Sequence, residues 1–169
     1  MKILANDGIA PIGKTQLEAA GFEVITETVP QTDLANAINE NNYVAVLVRS
    51  ATTVRKEVID ACPNLKLIGR GGVGMDNIDV AYAREKGLHV INTPAASSQS
   101  VAEQVMAHLF GLARGLYDSN RQMPNGGNSD FKALKKKYGK GIELRGKTLG
   151  VLGIGRIGQA TAKYALGCG

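Results

Sequence analysis

Residues 44–48 read Val-Ala-Val-Leu-Val and are followed directly by Arg49 and Ser50. An apolar run of this kind, without alternating polar residues, is typical of a central strand in a parallel sheet that helices cover on both faces. Parallel strands need a crossover connection, usually a helix, between one strand and the next. The run therefore predicts an α/β fold built around a parallel sheet.

Similar short apolar segments alternate with helical patterns on both sides of this run. Strands are predicted near Lys2–Ala5, Phe22–Thr26, Tyr43–Val48, Leu65–Ile68 and Leu88–Ile91. Helices are predicted between them near Pro11–Ala20, Asp33–Glu40, Arg55–Ala61 and Asp79–Lys86. Gly21 and Gly87 follow two of these helices, where a left-handed cap favours glycine. Residues 1–95 are thus expected to form a complete doubly wound domain.

The pattern changes after Thr93-Pro94. Residues 100–103 read as a capping box that opens a longer helix through Leu116, and the apolar residues of this helix wrap most of its circumference, which predicts burial on more than one side. A turn-rich segment at 123–129 and a basic linker at 131–147 are predicted to follow. The apolar residues of 149–152 predict one more strand, which leads into a glycine-rich loop.

The composition excludes several classes of protein. Hydrophobic residues make up 44% of the chain and charged residues 21%, as in folded globular domains. No uninterrupted apolar stretch is long enough for a membrane span, and the first residues do not resemble an export signal. Cys62 and Cys168 are too far apart to suggest a disulfide framework or a zinc pattern, so reduced thiols, a cytoplasmic location and no metal site are expected.

Much of the net charge of +5 lies in residues 131–147. Phe131 and Tyr138 interrupt this basic segment, a pattern that would also suit single-stranded nucleic acid. A solvated linker is the preferred interpretation, because no nucleic-acid-binding fold signature accompanies the segment. Nucleic acid is therefore not expected as a partner.

Two segments match the pattern G-x-G-x-x-G, namely 69–74 and 153–158. A dinucleotide site also needs an acidic residue about 20 residues further on, at the end of the next strand. After the first segment the next strand ends at Asn92-Thr93-Pro94, without an acid, so this segment is not expected to bind a dinucleotide. The second segment is the predicted dinucleotide loop, and the alternative is a plain glycine-rich turn. Because a full βαβ unit takes roughly 30 residues, the chain is expected to be a fragment.

Polar groups stand at three predicted strand ends: Arg49 with Ser50, Arg70 with the glycines after it, and Asn92. Ligands of open α/β sheets bind at this edge. Amides of glycines 71, 72 and 74 would form an anion-binding nest, and the two arginines would bind carboxylate or phosphate. The pattern predicts a small ligand with more than one anionic group. In the alternative, the arginines form ion pairs with Asp76 or Asp79.

Residues 48–52, 69–79, 90–94 and 144–158 together resemble the D-isomer-specific 2-hydroxyacid dehydrogenase family, in its phosphoglycerate branch. The resemblance implies a flavodoxin-like substrate domain at 1–95. It also implies, at 96–169, an interdomain helix and the first βα unit of a Rossmann NAD-binding domain. The implied substrate ligands are Arg49, Arg70, Gly72, Val73 and Gly74, and the strand-end pattern adds Ser50 and Asn92 to the expected ligands. The implied contacts to NAD are Val73, Gly153, Gly155, Arg156, Ile157 and Gly158.

The function implied by this resemblance is NAD-dependent oxidation of 3-phosphoglycerate to 3-phosphohydroxypyruvate in serine biosynthesis, by a homodimer. The family's catalytic histidine, its acidic partner and its catalytic arginine have no counterpart here. His89 lies at the start of a predicted strand and His108 lies in the apolar helix, so neither is expected to replace the missing histidine, and the chain alone is expected to be inactive. Alternatives are a glyoxylate or hydroxypyruvate reductase of the same family, and an NAD-sensing binding protein without turnover.

Overall fold

The computed structural model describes every residue from Met1 to Gly169. The chain forms two compact units, Met1–Ala96 and Ser97–Gly169. The first unit contains all of the strands, and the second is built from helices and loops. The substrate-binding role predicted for 1–95 and the NAD-binding role predicted for 96–169 stay predictions.

The first unit is a five-stranded parallel sheet with helices between its strands. The strands are β1 (Lys2–Ala5), β2 (Glu23–Ile25), β3 (Tyr43–Val48), β4 (Leu67–Arg70) and β5 (His89–Asn92). The helices are α1 (Pro11–Ala19), α2 (Leu34–Glu40), α3 (Lys56–Ala61) and α4 (Val80–Glu85). The strand order is β2-β1-β3-β4-β5, which is the flavodoxin-like order with β3 at the centre. The predicted α/β fold class is confirmed.

The core of this unit is a row of aliphatic side chains that crosses the sheet. Leu4 pairs with Val46, Val46 with Ile68, and Ile68 with Val90 in the strand registers, and all four are buried. The helices add further buried residues, namely Leu34, Ile38, Ile59 and Ala83. Full burial of each large aliphatic side chain contributes about 1.5–3 kcal/mol. This row therefore fixes the register that brings the strand ends together.

The predicted helices of this unit differ from the observed ones by at most one residue at either end, whereas two strands lie later in the chain than predicted. Leu65 is predicted as the first residue of β4, but its N–H donates to Cys62 O at 3.1 Å. Leu65 therefore belongs to the turn after α3. β4 and β5 consequently end at Arg70 and Asn92. These two polar residues are themselves the last residues of their strands.

The second unit contains α5 (Ser98–Ala113), α6 (Leu116–Gly126), α7 (Phe131–Tyr138) and α8 (Arg156–Leu166). α5 packs against α8. The buried residues of these two helices are Ser98, Ala102, Met106, Ala160 and Thr161. The Tyr164 hydroxyl also donates to Gln99 Oε1 at 2.6 Å. One stripe of α5 is thus held against α8.

Two expectations about α5 are wrong. The helix begins at Ser98, because Val101 N already donates to Ser97 O at 3.0 Å, and no side chain caps it. The predicted capping box of Ser100 therefore lies inside the first turn. Burial on more than one side is also not observed, since Leu112 is 82% exposed and Phe110 45% exposed. The buried residues of α5 lie on the stripe that faces α8, and the end of α5 also contacts α6.

The helix predicted through Leu116 ends earlier, and the following segments are more helical than predicted. Gly115 has a φ of 61°, which separates α5 from α6. α6 continues through Pro124 to Gly126, so only residues 127–129 of the predicted turn-rich segment form turns, and α7 lies within the predicted basic linker. Asp118 of α6 accepts hydrogen bonds from Lys137 at 2.7 Å and from Tyr138 at 2.9 Å. These contacts between α6 and α7 stabilise both helices. The sequence patterns did not predict the two helices because such patterns report local propensity and not contacts between distant residues.

The strand predicted at residues 149–152 is absent, and this segment has no regular secondary structure. A strand is stabilised by hydrogen bonds to a neighbouring strand, and the second unit contains no other strand. Leu152 is fully exposed, as expected for an apolar segment without a sheet to join. None of the helices in either unit combines the length and hydrophobicity that a membrane span requires.

Gly21 offers a direct test of the helix end that precedes β2. Its φ is 88°, a conformation that costs an L-residue about 1–2 kcal/mol, so Gly21→Ala is expected to destabilise the first unit by that amount in urea unfolding. Gly13→Ala in α1 is the control for an added methyl group on a helical glycine, where helix propensity favours alanine by roughly 0.5–1 kcal/mol. The new Cβ would lie 3.2 Å from the Ile9 side chain, so this gain is reached only if the Ile9 side chain shifts. Equal stability of the Gly21→Ala variant and the wild type would contradict the assignment of a left-handed cap.

Candidate anion and dinucleotide sites

A cavity of about 660 Å³ opens at the carboxyl ends of the strands in the first unit. Residues at the ends of β1, β3, β4 and β5 line it. Its polar and charged lining residues are Asp7, Arg49, Arg70, Asn92 and Thr93. Gly8 and Gly71 line it from turns, and Gly69 lines it from β4. Three of the predicted ligand residues, Arg49, Arg70 and Asn92, therefore share one cavity. Ser50, Gly72, Val73 and Gly74 do not line it.

Arg49 follows β3 and is an exposed residue. The Arg49 side chain makes no hydrogen bond or ion pair, whereas its backbone is held on both sides. Its N–H donates to Asp7 Oδ2 at 2.6 Å, and its carbonyl accepts from Asn77 Nδ2 at 2.9 Å. Arg49 thus combines a fixed backbone with a positive charge that is free for a ligand.

Arg70 differs from Arg49, because its side chain is 13% exposed and bound within the protein. Its Nε donates to the Arg49 carbonyl at 3.1 Å, and its Nη1 donates to the Gly74 carbonyl and, at 3.0 Å, to Asp76 Oδ1. The hydrogen bond from Arg70 holds the pKa of Asp76 below its usual value. The alternative in which Arg70 pairs with Asp76 is therefore realised, and an anionic ligand would share this guanidinium with Asp76.

The glycine-rich loop after β4 supplies fewer free amides than predicted. Gly71 N donates to Val48 O at 2.9 Å and Gly72 N to Arg70 O at 3.0 Å, so the expected nest is wrong for these two groups. The N–H groups of Val73 and Gly74 donate to no other protein group. Two neighbouring amides thus stay available for an anion.

Asn92 orients this loop, although it was predicted as a ligand. Its Nδ2 donates to the Val73 carbonyl at 2.7 Å, and Thr93 N donates to the Gly72 carbonyl at 3.0 Å. Both bonds turn carbonyls of the loop toward β5. Ser50 is exposed and makes no hydrogen bond. The substrate-binding roles of these residues stay predictions.

Asp7, which was not among the predicted site residues, follows β1 and lines the same cavity. Asp7 accepts from Arg49 N, from Thr52 N at 3.1 Å and from the Thr52 hydroxyl at 2.5 Å. Burial raises the pKa of Asp7, but the hydrogen bonds from Thr52 and Arg49 outweigh this effect and place the pKa below its usual value. The same rule about strand ends could have identified Asp7, since it too follows a predicted strand.

The loop at 69–74 does not lead directly into a helix, because residues 75–79 separate it from α4. That it does not bind the dinucleotide stays a prediction. Gly69 lies inside β4, where an added Cβ would come within 2.7 Å of Leu47 Cδ2. This glycine therefore serves sheet packing.

The loop at 153–158 has the three glycine roles of a dinucleotide fingerprint. Gly153 has a φ of 93°, which allows the tight turn. A Cβ on Gly155 would meet nothing within 4 Å, so the backbone is open to a ligand at this point. A Cβ on Gly158 would overlap the Gly153 carbonyl oxygen, so the loop packs closely on the helix. Arg156 and Ile157 are the first residues of α8, whose N-terminus favours negative charge.

Other titratable groups lie away from this chemistry. His89 is the first residue of β5, whereas the cavity lies at the carboxyl ends of the strands. His108 Nε2 lies 2.8 Å from Gln104 Nε2 in α5. Both cysteines are free, and burial raises the pKa of the Cys62 thiol. No three His, Cys, Asp or Glu side chains are grouped as a metal site would require. The cytoplasmic location inferred from the cysteines stays a prediction.

A flavodoxin-like sheet followed by this glycine loop is typical of dinucleotide-dependent α/β enzymes. The family model described as D-isomer specific 2-hydroxyacid dehydrogenase, catalytic domain, matches residues 3–164. The chain therefore belongs to the D-isomer specific 2-hydroxyacid dehydrogenase family. The resemblance predicted from the sequence motifs is confirmed.

Among curated relatives, the chain is 44% identical over 148 residues to a hydroxypyruvate reductase of Thermotoga maritima, covering 88% of this chain and 46% of the relative. It is 41% identical over 165 residues to a D-3-phosphoglycerate dehydrogenase of Methanocaldococcus jannaschii, covering 98% of this chain and 30% of the relative. The chain thus spans less than half of the length of either relative.

A similar solved structure is the NAD-dependent formate dehydrogenase from Staphylococcus aureus in complex with NAD. Its TM-score is 0.74 at 28% identity, with coverage of 99% of this chain and 54% of that chain. The cofactor named for this structure agrees with the nicotinamide dinucleotide expected from the sequence.

Proposed function

We propose that the protein is an NAD-dependent dehydrogenase that oxidises 3-phosphoglycerate to 3-phosphohydroxypyruvate, the entry step of serine biosynthesis. The observation that carries this proposal is the cavity that Arg49 and Arg70 share at the ends of β3 and β4. A ligand with a phosphate and a carboxylate would match the two arginines of this cavity and the free amides of Val73 and Gly74, which belong to the loop after β4 and lie outside the cavity lining. Arginine favours such groups because its planar donors bind two oxygens at once.

The binding roles follow from which groups are free. Arg49 has no protein partner and would take one anionic group of the ligand. The amides of Val73 and Gly74 would take the other. The hydrogen bonds from Thr93 N to the Gly72 carbonyl and from Asn92 Nδ2 to the Val73 carbonyl orient these amides, because each carbonyl lies in the same peptide plane as the next N–H. The Val73 side chain is 46% exposed, which suits the predicted contact with the cofactor.

The residues of the loop at 153–158 fit the predicted cofactor. The open face at Gly155, the turn at Gly153 and the N-terminus of α8 would hold a pyrophosphate group. When bound, NAD accepts a hydride from the substrate carbon that carries the hydroxyl group. We assign the cofactor-binding role to Gly153, Gly155, Arg156, Ile157 and Gly158 on this basis.

A second candidate is reduction of hydroxypyruvate, which the 44% identity to a hydroxypyruvate reductase favours. Hydroxypyruvate carries one anionic group, so it would use only part of the site. We also propose a homodimer. The exposed apolar residues Phe110, Leu112 and Leu116 support an interface with a second copy.

Arg49→Ala is expected to weaken binding of 3-phosphoglycerate about 10-fold or more, because a hydrogen bond to a charged group contributes roughly 1.5–3 kcal/mol. Isothermal titration calorimetry measures this change. Arg84→Ala is the matched control, because Arg84 lies on α4 and does not line the cavity. Unchanged affinity in the Arg49→Ala variant would rule out the assigned anion site. An equal effect on hydroxypyruvate would favour the second candidate.

The glycine loop gives a separate prediction for the cofactor. Gly155→Ala is expected to leave the thermal stability unchanged and to weaken binding of NADH, because the added methyl group fills only the space open to the ligand. Gly158→Ala is expected to lower both quantities, because of the overlap with the Gly153 carbonyl. NADH fluorescence and thermal unfolding measure them. Gly150→Ala, with open space outside the loop, is the control. Normal NADH binding by the Gly155→Ala variant would contradict the cofactor assignment.

We propose that the 169-residue chain has no dehydrogenase turnover by itself. Neither His89 nor His108 lines the cavity, so no histidine of the chain is placed to exchange a proton with a substrate hydroxyl group there. The test is NADH formation from 3-phosphoglycerate and NAD by the purified chain. Measurable NADH formation above a no-enzyme blank would overturn this proposal.

A further inference from the structure

Asp7 is a carboxylate in a cavity to which the proposed function assigns anionic ligands. It follows β1, and the segment that it contacts, Arg49–Thr52, follows the adjacent strand β3. A free negative charge at this position would repel an anionic ligand. The partners of its two oxygen atoms therefore decide what Asp7 does.

Both oxygens of Asp7 are bound by donors from this one segment. Oδ2 accepts from the N–H of Arg49 at 2.6 Å and from the N–H of Thr52 at 3.1 Å, and Oδ1 accepts from the Thr52 hydroxyl at 2.5 Å. No lysine or arginine forms an ion pair with Asp7. Backbone and hydroxyl donors therefore stabilise the negative charge of Asp7, and the Arg49 guanidinium stays free for a ligand.

Asn77 and Asn6 also form hydrogen bonds to the segment Arg49–Thr52. Asn77 Nδ2 donates to the carbonyls of Arg49 and Thr52 at 2.9 and 2.6 Å. Asn6 Nδ2 donates to the Thr52 hydroxyl oxygen at 2.8 Å. The hydrogen bonds to Asp7 lower its pKa despite partial burial, so the carboxylate is ionised at neutral pH. The backbone around Arg49 is thus fixed before any ligand binds, which lowers the entropic cost of binding.

We propose that Asp7 is a positioning residue of the anion site. Its carboxylate fixes the backbone of Arg49–Thr52, and this fixed backbone directs the free Arg49 guanidinium toward the anionic group of the ligand. Asp7 does not touch the ligand in this proposal, since donors of the segment occupy both of its oxygens. The proposal rests on the proposed function, because it requires that Arg49 binds an anion.

A double-mutant cycle on the 169-residue chain tests the proposal, with 3-phosphoglycerate as the probe and calorimetry as the measurement. Asp7→Asn keeps nearly the same shape but places an NH2 group opposite one of the donors that now bind the carboxylate. The loss of this hydrogen bond would release the Arg49 backbone. Binding of 3-phosphoglycerate is therefore expected to weaken about 5- to 20-fold. In the Arg49→Ala background, Asp7→Asn is expected to cause no further loss. A residue that only stabilises the fold would show no such dependence on Arg49.

Two additional variants keep the test decisive. Thr52→Val removes one donor to Asp7 while the carboxylate stays, and it is expected to weaken binding by a smaller factor that also disappears in the Arg49→Ala background. It serves as the test if Asp7→Asn does not give a native amide spectrum. Asp60→Asn is the control, because Asp60 pairs with Lys86 outside the cavity, and it is expected to bind the probe as the wild type does.

The outcomes separate this inference from the proposed function. Full affinity in the Asp7→Asn variant, or an equal loss with and without Arg49, would overturn the positioning role while the anion site stands. Unchanged affinity in the Arg49→Ala variant would remove the anion site itself, and the positioning role with it. A loss that appears only when Arg49 is present supports both.

Discussion

The five strands of the first unit pair in parallel, in the order β2-β1-β3-β4-β5, and this pairing constrains the rest of the unit. Because the strands are parallel, their carboxyl ends lie side by side at the same end of the sheet. The buried row of Leu4, Val46, Ile68 and Val90 fixes the register of this pairing. A slip of one residue would turn every side chain of a strand to the opposite face. The same register therefore packs the core and brings Asp7, Arg49, Arg70 and Asn92 to one cavity.

The two arginines of the cavity differ in whether their side chains are bound within the protein, and this difference gives them separate roles. Arg70 is tied to Asp76 and to the carbonyls of Arg49 and Gly74, so it organises the loop and contributes only part of its charge to the cavity. Arg49 has a fixed backbone and a free guanidinium group. A site of this kind binds anions with little reorganisation, which is the property that a small, charged substrate requires.

The sequence predicted the strands and helices of the first unit because hydrophobic periodicity and glycine caps are local signals. It also predicted that Arg49, Arg70 and Asn92 stand at strand ends. It did not predict that Arg70 would be bound internally or that Asp7 would hold the Arg49 backbone, because both depend on contacts between distant segments. The second unit was predicted less well. Lys137 and Tyr138 stabilise the α6–α7 pair through Asp118, and residues 149–152 have no strand to pair with.

The most direct test of this account is a titration of the ¹⁵N-labelled chain with 3-phosphoglycerate, followed by NMR of its backbone amides and arginine side chains. The largest saturable shifts are expected at the Arg49 side chain and at the amides of Val73 and Gly74. Shifts confined to the basic residues 131–147, or no saturable shift near the cavity, would contradict it.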